Sequence, residues 1–126
     1  MDYKGVIIEE SLENDGLLKE VKILSTKVEV VTEKHKTPWI KQWTLHTIEI
    51  PEAQAELIAD KISTALDKEH KHSWYVDFKN DQFHYIIFSN KFFKVERGNK
   101  EQYAQATQYG ISLGIPDYQL TFSPEI

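Results

Sequence analysis

The chain has 126 residues, no cysteine, 28% charged residues and a net charge of -5. That length suits one domain, residues 1–126, with a core that needs no metal or disulfide to hold it. The lack of cysteine excludes a disulfide framework, a thiol nucleophile and a thiolate metal site. The acidic balance argues against nucleic acid as the main partner, because phosphate contact ordinarily shows as a basic excess. No apolar run approaches the roughly 20 residues of a membrane helix. The opening MDYKGVIIEE lacks the basic-then-apolar order of a secretion signal. A cytoplasmic protein with no membrane partner is therefore expected.

Residues 4–12, KGVIIEESL, read as a strand, and the following ENDG suits a tight reversal into a long strand from Leu17 to Val31. That second strand changes phase: Val21 and Ile23 share one parity, Val28 and Val30 the other. A bulge near Ser25–Thr26 would return all four to one face. Residues 33–40, EKHKTPWI, read as a loop, and Gln42 to Ile50 as a third strand. His46 reads as a packed histidine with a backbone partner. Pro51 opens a helix in which Leu57, Ile58, Ile62, Ala65 and Leu66 fall at helical spacing.

The stretch WYVDFKNDQFHYIIFSNKFFKVE, residues 74–96, holds three further strands. A turn at Asn80–Asp81 pairs Phe78 with Phe83 and Asp77 with His84. Trp74, Val76, Phe78, Phe83, Tyr85 and Ile87 then share a core face, with burial on the order of 10 kcal/mol before entropy is subtracted. The other face is mixed: Tyr75, Asp77, Lys79, Gln82, His84, Ile86 and Phe88. A three-residue loop at Ser89–Lys91 would bring Glu96 beside His84; a two-residue loop would bring Val95 there instead. The first keeps Phe93 and Val95 on the Trp74 face and is preferred. A second helix begins near Asn99, where Asn99 and Gln102 fit a capping-box variant. Tyr103, Ala106, Gly110 and Leu113 form its inner face, Gly114 stops it, and YQLTF, 118–122, could add an edge strand.

The fold class that follows is α+β: a two-layer, mainly antiparallel sheet with two helices packed on one face, in the order βββα-βββα. The order also suggests two similar halves. Three functional readings remain open. The first is a non-enzymatic module binding a small molecule or protein through the mixed sheet face around Tyr75, His84 and Ile86 or through an edge strand, in a form that could be a homodimer. The second is a small enzyme in which His84, Asp77 and Glu96 form an acid–base cluster. The third is anionic-ligand or single-stranded nucleic-acid binding through segment 34–43, where Lys34, His35, Lys36, Trp39, Lys41 and Trp43 interleave charge with aromatic surface. His70 and His72 are too weak a pair to predict a metal, and no cofactor is expected. No phosphate loop or nucleophile elbow is present.

The run WYVDFKNDQFHYIIFSNKFFKVERGNKEQY with the later YGISLGIP resembles small prokaryotic hypothetical proteins of similar length. That resemblance spans nearly the whole chain and implies a stand-alone single domain. It brings no activity and no site residues with it.

Overall fold

The structure, a computed structural model, describes residues 2–13, 15–30, 42–66, 74–113 and 115. Among these residues six strands form one sheet: β1 (Tyr3–Ile8), β2 (Lys22–Val30), β3 (Gln42–Ile50), β4 (Tyr75–Lys79), β5 (Phe83–Phe88) and β6 (Lys91–Glu96). Helix α1 covers Ala55–Ala65 and α2 covers Lys100–Ser112. The strand order is β2-β3-β1-β4-β5-β6, and every neighbouring pair is antiparallel. The chain is thus α+β with an antiparallel sheet and two helices, as its pattern predicts. Among the described residues no helix is long and apolar enough to cross a membrane.

Neighbouring residues of a strand point to opposite faces, which fixes where each helix lies. Tyr85 and Ile87 of β5 join Tyr3, Ile7, Ile48, Ile50, Val76 and Phe78 in a core closed by Ala55, Ile58, Ala59 and Ile62 of α1. Ile86 and Phe88 point the other way and join Val95 of β6 and Ala106 of α2. The second helix, expected beside the first, therefore packs on the opposite face. The cause is visible in β5, FHYIIF, which is apolar without alternation and is buried from His84 to Phe88. A strand like that needs cover on both sides.

The expected β1–β2 hairpin is absent. Glu9–Ser11 and Asp15–Lys19 form 3₁₀ turns instead, and Leu12 bridges to Leu66 at the end of α1. Leu17, read as the start of the second strand, is instead buried in the α1 core, and β2 begins at Lys22. β3 slots between β1 and β2, which run parallel to each other. The second half, β4-β5-β6, is a plain meander. The two halves thus differ in strand order, and the sheet carries no repeat of one motif.

The bulge in β2 falls between Ile23 and Ser25, close to the predicted place. It sets Ile23 opposite Ile48, Thr26 opposite His46 and Val28 opposite Thr44, all on the α1 face. Gly5 lies opposite Phe78 and Ile48. An added Cβ there would fall 2.2 Å from the Asp77 carbonyl oxygen and 2.7 Å from Phe78 Cβ, so only glycine lets β1 and β4 come this close. In α1 the buried positions are Ala55, Ile58, Ala59, Ile62 and Ser63. Leu57, expected in the apolar stripe, points outward.

Candidate interaction edge

The β4–β5 turn sits one residue later than predicted. Asn80 pairs with Phe83, and the Asn80 Oδ1 accepts from the backbone N–H of Gln82 and Phe83 at 2.9 and 2.8 Å. Asn90 is the one non-glycine with positive φ among the described residues, so this turn needs none. An asparagine side chain supplies the reversal instead. The register therefore moves by two: Lys79 faces His84 and Asp77 faces Ile86. A shift of two preserves the face of every residue. Asp77 still reaches His84, now along the diagonal, with Oδ2 2.6 Å from Nε2.

The other ring nitrogen, Nδ1, lies 3.0 Å from the Tyr103 hydroxyl on α2. His84 is 0% exposed. Burial raises the pKa of Tyr103 and the Asp77 charge adds to the rise, while Arg97, hydrogen-bonded to it, opposes it. Tyr75 is also raised, by burial and then by the Asp77 charge. The imidazole ties β4, β5 and α2 together, with both nitrogens engaged.

The β5–β6 turn has two residues, Ser89 and Asn90, with Asn90 at φ 65°. Val95 therefore faces His84, and Phe93 and Val95 belong to the α2 face. Glu96 faces Phe83 on the other side of the sheet, exposed. The structure brings Asp77 to His84 but not Glu96. Ile86 is fully buried under α2, and Tyr75 packs against the same core. The mixed face is a second core. Trp39, Lys41 and the rest of 31–41, together with His70, His72 and the 118–122 tail, lie outside the described residues. Trp43 lies within them and packs on Trp74, with ring centroids 5.6 Å apart. Among the described residues no group of three His, Asp or Glu side chains is placed to hold a metal ion.

The open surface is at the other end of the sheet. Beyond α1, the face carried by β2 and β3 presents Val28 and Val30, 55% and 78% exposed, with Ile23 and Leu24 also exposed beside the bulge. Among the described residues β2, nine residues long, is an edge strand. It is held by a polar brace that the sequence reading missed. His46 is buried, with Nδ1 2.8 Å from Thr26 Oγ1 on β2 and Nε2 2.9 Å from Glu9 Oε1. Its partners are thus side chains, not the expected backbone group. One residue on, Glu10 takes over where β1 ends: its carboxylate accepts from the Thr44 N–H at 2.6 Å and from the Thr44 hydroxyl at 2.8 Å. The signal for this brace was Glu9–Glu10 after an apolar strand, matched to polar Thr44 and His46 on the core parity of β3.

The far edge is different. On β6, Lys94 lies over the Phe83 ring at 4.4 Å, and Lys91 lies 5.2 Å from both the Phe93 and Tyr109 rings. Ammonium groups laid over apolar rings shield that edge. No family model, curated protein or solved structure matches the chain.

A cleft of about 440 Å³ beside α1, lined by Gly16, Leu17, Glu20, Lys61, Thr64 and Ala65, is less suited to a charged ligand, because Lys61 and Glu20 pair with each other across it. Among the described residues, the chemistry the β2 edge offers is main-chain recognition. An edge strand offers a row of N–H and C=O groups, and exposed valines offer apolar surface next to it.

Proposed function

We propose that this protein is a non-enzymatic interaction module that receives an extended protein segment as an added strand along β2. The observation that carries this reading is the pairing of an edge strand with exposed Val28 and Val30 on one face. Main-chain hydrogen bonds would supply affinity and the valines would select apolar side chains at alternate positions. The brace from Thr26 through His46 to Glu9 supports the reading too. A strand fixed before binding loses less entropy on binding.

The test is selection from a displayed library of short extended peptides, using the whole chain as bait. The expected binders have alternating apolar residues and shift the amide resonances of Thr26–Val30. The double variant Val28→Lys, Val30→Lys should weaken them at least tenfold, as when charges are placed along an edge. Peptides that bind the double variant equally well, or that perturb only residues away from β2, overturn the reading.

A further inference from the structure

Resting on that reading, we propose that the segment added at β2 is β2 of a second copy, paired antiparallel about a two-fold axis through Val28. The argument begins with the bulge. It breaks the ladder between Ile23 and Ser25 and leaves Ser25–Val30 as the regular part of the edge. Within this stretch Thr26, Val28 and Val30 lie on the α1 face, while Lys27 and Glu29 lie on the opposite one.

In an antiparallel pair, directly opposed residues share a face, so a two-fold pairing of β2 with itself must centre on a residue. Centring on Lys27 sets that lysine against its own copy, and centring on Glu29 sets two carboxylates together. Both are unfavourable, because like charges directly opposed destabilise a sheet. Centring on Val28 sets Lys27 opposite Glu29 of the second copy, and Glu29 opposite Lys27 of the second copy. Lys27 and Glu29 already lie 3.4 Å apart along one strand. The pairing closes them into a four-membered ring of alternating charge, the arrangement in which surface ion pairs contribute most.

On the other face the same register opposes Val28 to Val28 and Thr26 to Val30. The two exposed valines of each copy thereby meet in one apolar stripe across the joint. An edge lysine ordinarily discourages pairing with other strands. Here it does so for every partner except one with an acid at the matching place. The sheet would run unbroken through twelve strands, twice the six of one copy.

The test is sedimentation velocity of the whole chain from micromolar to millimolar concentration, with a charge-swap series. The wild type should show a dimer whose share rises with concentration. Lys27→Glu and Glu29→Lys should each weaken it about tenfold, since each creates two repelling pairs by symmetry. The double variant Lys27→Glu, Glu29→Lys should restore wild-type association, because the ring of charges is then rebuilt with its signs exchanged. Circular dichroism checks that each variant is folded. A wild type that stays monomeric throughout overturns the proposal; if selected peptides still bind at β2, the strand-addition reading stands without it. A dimer indifferent to the single variants, or not rescued by the double one, overturns this pairing.

Discussion

His84 shows how much a single residue's meaning depends on the cover above it. On an open face, its removal would leave the fold intact. Under α2 it is fully buried, with Asp77 2.6 Å from one nitrogen and the Tyr103 hydroxyl 3.0 Å from the other. His84→Ala then leaves a cavity and takes one hydrogen-bond partner each from Asp77 and Tyr103. Each of these effects is destabilising, and together they should cost on the order of 3 kcal/mol. Tyr103→Phe keeps the ring but removes the hydroxyl that bonds His84 and Arg97, and should cost about 1–2 kcal/mol. Urea unfolding of both variants measures this directly. A loss below about 1 kcal/mol for His84→Ala would mean that the imidazole is solvated and that α2 does not close over it.

At the scale of elements, α2 is what turns the second face into core, so its start matters. Asn99 Oδ1 accepts from the N–H of Glu101 and of Gln102, both at 3.1 Å. Gln102 does not return the bond to Asn99, as a full capping box would; its Oε1 accepts from the Glu96 N–H at 2.7 Å and so ties the helix to β6. Asn99→Ala should cost about 1 kcal/mol, and it should raise amide exchange in the first turn of α2, which carries Tyr103. Unchanged stability and exchange would show that the cap is dispensable. This cap was legible in the sequence, as were the inner face of α2, the bulge in β2 and the face of each residue in β4 and β5. What was not legible has physical causes. The register of β4 on β5 depended on an asparagine side chain closing the turn, and a slip of two leaves the hydrophobic pattern unchanged. The turn after β5 was misplaced because Asn90 takes the positive φ usually given to glycine. The place of β3 between β1 and β2 could not be read at all, since strand order depends on contacts far apart in the chain. The brace at His46 followed from that order and was hidden with it.

For the whole molecule, the two cores share a vulnerability to alkali. Tyr3 and Tyr85 line the α1 face, and Tyr75 and Tyr103 pack on the α2 side. All four have their ionisation suppressed, in each case chiefly by burial. For Tyr85 the pKa is pushed up to about 12, with the Tyr3 and Glu56 charges adding to the effect of burial. In the unfolded chain each phenol titrates near about 10. The folded state thus holds protons that the unfolded state releases, and stability falls wherever the unfolded state binds fewer. This contribution is complete below pH about 10 and is lost as pH rises toward about 12. The protein should therefore hold its stability through neutral pH and unfold cooperatively within that alkaline window. The absorbance of the buried tyrosinates should appear together with the loss of far-ultraviolet circular dichroism. Four phenols ionising gradually while the dichroism stays native would show that neither core excludes water, and the two-sided burial of β5 would lose its support.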